Sequence, residues 1–115
     1  MQSLEGVKVL DLTRVLAGPF STMILADLGA EVFKVESFEG DEARGFGPFK
    51  NKVSGYFQNV NRGKKSIVIN LKHPIGRELL LKLISHTDIL VENFRPGAMT
   101  RLGLGYASLK PKFPK

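Results

Sequence analysis

Val7-Lys8-Val9-Leu10-Asp11-Leu12 alternates with a β-branched bias, and this period of two predicts a first strand. The period then changes. After a loop over Thr13 to Gly18, Pro19 suits a first helical position. Phe20, Met23, Ile24 and Leu28 recur at helical spacing, and Gly29 supplies a C-terminal stop. Glu31-Val32-Phe33-Lys34-Val35-Glu36 returns to the strand period. A β-α-β unit of this length implies parallel strands joined by a right-handed crossover.

Ser37 to Lys52 is rich in Gly and charge and reads as a long loop, a feature that in compact domains is usually functional or mobile. Ser54 to Asn61 is expected to form a short helix and Lys65 to Leu71 a third strand. His73-Pro74 opens the best-defined helix, with Ile75, Leu79, Leu80, Leu83 and Ile84 on one face and Arg77, Glu78 and Lys82 mostly outside it. Asp88 precedes a fourth strand, Ile89-Leu90-Val91. A short helix from about Pro96 to Leu102 follows, then one further turn from Tyr106 to Leu109. Strands alternating with helices predict an α/β fold: a Rossmann-like, open, mostly parallel sheet with flanking helices. Parallel sheets of this kind are covered on both faces. Only two strong helices are visible, so one face is expected to be thinly covered and the sheet incomplete.

Composition narrows the class. The chain has 115 residues, 43% hydrophobic and 24% charged, as in an ordinary soluble globular domain. No apolar run is long enough to span a membrane, and the N-terminus carries neither a signal nor a transit pattern. Cys is absent, which removes disulfides and thiolate metal sites. These features fit a cytoplasmic protein. A net charge of +6 favours an anionic partner: nucleic acid, an anionic membrane surface or a phosphate-bearing cofactor. The excess lies in Arg62-Gly63-Lys64-Lys65 and in the last six residues. Without interleaved aromatics or a recognition helix, this basic turn is a poor nucleic-acid motif.

Ligands of open α/β sheets bind outside the carboxyl ends of the strands. Three polar residues fall at such ends: Arg14 after the first strand, Lys72 after the third and Asn93 after the fourth. Arg95 and Arg101 follow Asn93 and suit an anionic ligand. The plainer reading, turn-capping Asn and solvated Arg, stays open at this point. The first β-α turn has one Gly where a dinucleotide fingerprint has three, and there is no phosphate-cradling Gly-rich loop ending in Lys-Ser/Thr. Catalytic candidates are few. His73 and His86 lack metal-ligand spacing, Asp41, Glu42 and Arg44 could pair with one another, and nothing supports a joint acid–base role for Glu36 and Glu92.

The motifs, taken in order, resemble one family. They are Leu4-Glu5-Gly6-Val7-Lys8-Val9-Leu10-Asp11-Leu12-Thr13, Ala17-Gly18-Pro19, Asp27-Leu28-Gly29-Ala30-Glu31-Val32, Gly40-Asp41 with Arg44, and Asn61-Arg62-Gly63-Lys64-Lys65-Ser66. Val91-Glu92-Asn93-Phe94-Arg95-Pro96-Gly97 and Leu102-Gly103-Leu104-Gly105-Tyr106 complete the set. Together they resemble the N-terminal part of the class III coenzyme A transferases, the formyl-CoA transferase-like family that also includes carnitine and succinyl-CoA–glutarate transferases and alpha-methylacyl-CoA racemase. The resemblance runs from Leu4 to Lys115.

It implies coenzyme A or an acyl-CoA as substrate, with a small carboxylic acid as the second partner and no metal, nucleic acid or membrane. The residues that match the family's coenzyme A contacts are Leu16, Ala17, Leu71, Lys72, Asn93, Phe94 and Arg101. Two departures are visible. Ser37 stands where members can carry an Arg against the nucleotide. Leu16 replaces a Gln of the formyl-CoA transferase version, which argues against oxalate and formate as substrates. Glu92-Asn93-Phe94 favours a transferase over a racemase. Family transferases attack the thioester with an aspartate in a Gly-rich motif, and none of Asp11, Asp27, Asp41 or Asp88 matches it. The chain therefore reads as residues 1–115 of the large transferase domain, truncated before the catalytic motif and inactive alone. Full-length members form interlocked homodimers. The alternatives are a racemase-like member and a non-catalytic coenzyme A-binding remnant, and a nucleic-acid-binding domain ranks last.

Overall fold

The computed structural model describes residues 2–114. Its strands are β1 (Lys8–Asp11), β2 (Glu31–Glu36), β3 (Phe49–Lys50), β4 (Val53–Ser54), β5 (Lys65–Val68) and β6 (Ile89–Val91). Four of them form one parallel sheet in the order β5-β2-β1-β6. Leu10 pairs with Phe33 and Leu90, and Val35 pairs with Ile67. The connecting helices are α1 (Ala17–Asp27), α2 (Gly55–Asn61), α3 (Pro74–Ile84), α4 (Ala98–Arg101) and α5 (Tyr106–Leu109). The α/β class and the parallel sheet are as the sequence predicts.

Alternation along the strands sends side chains to two separate cores. Val9 and Val32 point to one face, where Ala30 and Leu25 and Ala26 of α1 meet them. Leu10 and Val35 point to the other, against Leu80 and Ile84 of α3, Met99 of α4 and Leu104. Both faces carry helices, but the α1 face buries only Val9, Ala30 and Val32 as its apolar core, in keeping with the expectation of one thinly covered face. The short helices α2, α4 and α5, all three expected from the sequence, add to the layers. The outer side of α1 is open, where Leu16, Phe20, Ile24 and Leu28 are each about half exposed, and so are Val68 and Ile89 on the edge strands.

Several local details depart from the pattern. Helix α1 starts at Ala17, so Pro19 sits at its third position, still within the turn whose N–H groups have no helical partner. Gly29 ends the helix with φ +107°, a left-handed position that suits glycine. His73 caps α3 as expected, its Nδ1 accepting from the Ile75 N–H at 3.1 Å. On α3, however, Ile75 and Leu79 are exposed, and only Leu80 and Ile84 of the five predicted core residues are fully buried. Gly76 shares the i, i+4 stripe with the buried Leu80 and Ile84 and lies flat on the Asn70 carbonyl, where a Cβ would collide with the oxygen. The expected loop from Ser37 to Lys52 is also more ordered than predicted. It holds a 3-10 turn at Glu42–Gly45 and strand β3, which pairs with β4 as a small antiparallel hairpin.

Candidate functional site

The carboxyl ends of the strands open into a cleft of about 570 Å³. Its walls come from Leu12 to Arg14 after β1, Glu36 to Asp41 after β2, Ile69 to Lys72 after β5, and Phe94, Arg95 and Arg101 after β6. Four of the sequence-predicted residues line it: Leu71, Lys72, Phe94 and Arg101. Leu16 and Ala17, at the entry to α1, do not line it, and neither does Asn93. A larger cavity of about 900 Å³ runs beside the open edge of β6, lined by Met99, Leu104, Leu109 and Phe113 among others. It lies away from the convergent strand ends and is mainly apolar.

The side chain of Asn93 is committed to the neighbouring turn. Its Oδ1 accepts the Arg14 N–H at 3.0 Å and its Nδ2 donates to the Arg14 carbonyl at 2.9 Å. The Arg14 guanidinium lies 5.4 Å from the Phe94 ring centroid and donates to Glu42 Oε1 at 2.8 Å. The loops after β1, β2 and β6 are therefore tied together around Arg14.

Beneath the cleft the α1 face of the sheet turns from apolar to ionic. Asp11 and Lys34 are both buried in register on neighbouring strands. Asp11 accepts from the Thr13 N–H and hydroxyl, from the Thr22 hydroxyl at 2.6 Å, and pairs with the Lys64 ammonium at 2.9 Å. Lys34 pairs with Asp41 at 2.8 Å and donates to the Thr13 carbonyl at 3.0 Å. Glu36 takes the Arg44 fork at 2.9 and 2.7 Å, the Asp41 N–H and the Ser66 hydroxyl. Arg44 stacks on Phe57, its guanidinium carbon 3.9 Å from the ring centroid. The loop residues Asp41, Glu42 and Arg44 thus pair with Lys34, Arg14 and Glu36, not with one another as the sequence suggested.

These contacts set the protonation states. Burial pushes the Glu36 carboxyl up, but the Arg44 fork and the Asp41 and Ser66 hydrogen bonds outweigh it and hold the pKa at about 2. Burial likewise opposes the charge on Asp41, and Lys34 with the Ala43 and Val15 N–H groups brings its pKa below the ordinary range. Lys64 moves down, because its burial is only partly offset by Asp11. Each of these buried charges is paired, and among the described residues no buried side-chain polar atom lacks a partner.

Lys72, Arg95 and Arg101 differ. They line the cleft and, among the described residues, form no ion pair. The cations below are neutralised, while at the rim Lys72, Arg95 and Arg101 outnumber Glu39, whose carboxylate feels the charge of Lys72, so the cleft presents net positive charge to a ligand, beside the apolar surfaces of Leu71, Phe94 and Leu102. Among the described residues no cluster of His, Cys, Asp or Glu is arranged to hold a metal, and no helix is long and apolar enough to cross a membrane.

The buried network is the part of the site that sequence reasoning missed. A signal existed. A parallel sheet covered on both faces has no solvated side, so Asp11, Lys34 and Glu36 on its two central strands had to find partners.

Comparison with known proteins gives a consistent result. The family model of CoA-transferase family III matches residues 4–115. Succinyl-CoA:glutarate CoA-transferase of Mus musculus is 54% identical over 111 residues, covering 95% of this chain and 26% of that protein. Acetyl-CoA:oxalate CoA-transferase of Acetobacter aceti is 49% identical over 112 residues, covering 96% of this chain and 29% of that protein. Among solved structures, a hypothetical protein of Mycobacterium tuberculosis superposes with a TM-score of 0.91 at 41% identity, covering 99% of this chain and 32% of that one. The chain thus spans less than a third of the length of these relatives.

Proposed function

The chain belongs to CoA-transferase family III, and from that premise we propose that it forms the coenzyme A-binding portion of an enzyme that moves coenzyme A between carboxylic acids. The observation that carries this reading is the cleft with three unpaired cations, Lys72, Arg95 and Arg101, at the carboxyl edge of a parallel sheet. Coenzyme A offers anionic phosphates to those cations and an adenine ring to the apolar wall at Leu71 and Phe94. Leu16, Ala17 and Asn93 flank the ligand from beside the β1–α1 turn in this proposal. The open cleft suits a small soluble ligand, and a cytoplasmic location is part of the same proposal.

The chemistry expected of the family is a relay of carboxylates. An aspartate attacks the acyl-CoA carbonyl and expels the coenzyme A thiolate, leaving a mixed anhydride. The thiolate then attacks the aspartyl carbonyl, releasing the donor acid and forming an enzyme thioester. The acceptor carboxylate reverses both steps and leaves as the new acyl-CoA. The environments of the chain's own aspartates argue against each as nucleophile. Asp11, Asp27 and Asp88 do not line the cleft, and Asp41, which does, is buried in an ion pair with Lys34. The nucleophile is therefore assigned outside residues 1–115, in an enzyme proposed to be an interlocked homodimer. The succinyl–glutarate branch is the favoured specificity, since Leu16 lacks the amide of the formyl-CoA version.

Titration calorimetry of the chain with coenzyme A tests the binding claim. Saturable heat that weakens with added salt is expected, and no heat at millimolar ligand overturns it. Incubation of the chain alone with succinyl-CoA and glutarate should give no exchange. Measurable turnover would return the nucleophile to one of the four aspartates.

A further inference from the structure

Val15 adopts φ +72°, and among the described residues it is the only β-branched side chain in the left-handed region. A branched Cβ is poorly accommodated there, so such a conformation persists only where its surroundings over-determine it. Here the determinants are two side chains distant in sequence. Asp41 accepts the Val15 N–H with both oxygens, at 3.1 and 3.3 Å. Asn93 holds both backbone groups of the preceding residue, Arg14. The turn then runs into Leu16 at φ −132°, ψ −66°, and α1 begins at Ala17 with no side-chain cap. Gly18 has no room for a Cβ because the Thr13 side chain occupies the space. The strained residue thus fixes both the start of α1 and the placement of Leu12, Thr13 and Arg14 as one wall of the cleft.

We propose that Asn93 is a positioning residue, whose carboxamide keeps Val15 in the left-handed conformation and so shapes the β1 wall of the cleft. Its effect on ligand binding passes through Val15. A direct ligand contact is not required, because Oδ1 and one Nδ2 hydrogen are already bonded to the Arg14 backbone. Asp41 is the second half of the clamp, locked in place by Lys34.

The test is a double-mutant cycle of Asn93→Ala and Val15→Gly. Glycine adopts the left-handed conformation without strain, so it removes the need for the clamp. Asn93→Ala alone should weaken coenzyme A binding about tenfold, as for coupled neighbours. Val15→Gly in the same chain should restore affinity to within about threefold of the unsubstituted protein. Failure of the glycine to restore affinity, or an Asn93→Ala variant that binds normally, overturns the proposal. The affinity readout rests on the coenzyme A reading, and a second readout does not. Thermal midpoints should be non-additive. Asn93→Ala should lower the midpoint by about 4 °C or more in the otherwise unsubstituted chain, and by much less in the Val15→Gly variant. Additive midpoints overturn the clamp whether or not coenzyme A binds. If Asn93→Ala does not fold, Asn93→Asp serves in the same cycle. It keeps the acceptor for the Arg14 N–H and loses the donor to the Arg14 carbonyl.

Discussion

Replacing Glu36 by glutamine isolates the largest pH-dependent contribution to stability that the structure identifies. Glu36 is almost fully buried in the native state, with both oxygens bonded to the Arg44 fork and further bonds from Asp41 N–H and Ser66. Its pKa falls from an ordinary 4.5 to about 2. At about 1.4 kcal/mol per pH unit, that difference corresponds to roughly 3 kcal/mol of stability. Because the folded value lies below the unfolded one, the contribution is complete above about pH 4.5 and is lost as the pH falls toward 2. Arg44 is half exposed, so water screens its side of the pair and roughly 2 kcal/mol is the more realistic figure. Urea unfolding of the parent and of Glu36→Gln at a series of pH values measures this directly. The stability difference should be widest at neutral pH and close as the solution is acidified through this window. Parallel pH profiles for the two proteins would refute the reasoning, since they would mean that Glu36 gains nothing from its partners on folding.

Lys34→Met should destabilise the chain by about 3 kcal/mol or more in the same unfolding assay, because it leaves the Asp41 carboxylate buried without its ammonium. Gly76→Ala should cost at least about 2 kcal/mol, since the added methyl meets the fixed Asn70 carbonyl and not a side chain that could turn away. Lys72→Ala and Arg101→Ala should each weaken coenzyme A binding about three- to tenfold and flatten its salt dependence, with little change in unfolding midpoint, because neither forms an ion pair within the described chain.

The four parallel strands were legible because each carries a short apolar or alternating run bounded by polar residues or glycine. Arg14, Lys72 and Asn93 were legible as one edge because parallel strands place all their carboxyl ends together. The roles within that edge were not. Asn93 has the same local sequence signature whether its amide faces a ligand or a neighbouring turn, and its partner Arg14 is 79 positions away. The orientation of α3 was hidden for a similar reason. Helical periodicity places Ile75 and Leu79 on the apolar stripe, but the stripe that is buried runs through Gly76, Leu80 and Ile84, with Gly76 against the Asn70 carbonyl. Glycine reads in sequence as weak helix propensity, while its use here is a close approach between backbones.

The ionic half of the α1 face explains why the segment after β2 is ordered although Phe38, Phe46, Phe49 and Val53 stay exposed and only Ala43 among its apolar residues is buried. Lys34 and Glu36 project from the carboxyl half of β2, and each captures a residue of the following loop: Lys34 takes Asp41, and Glu36 takes Arg44 together with the Asp41 N–H. Asp41 then caps the 3-10 turn through Ala43 N–H, and Ser54 donates to the Ala43 carbonyl from the far end of the hairpin. Exchanging these charges for well-packed hydrophobic residues need not weaken the sheet itself, since buried ion pairs often do no better than good apolar packing. It would nonetheless release the loop, because apolar side chains on β2 offer nothing to hold Asp41 or Arg44, and a released Asp41 no longer meets the Val15 N–H. Charges buried where a parallel sheet would normally carry Val or Ile therefore serve the geometry of the cleft more than the stability of the core.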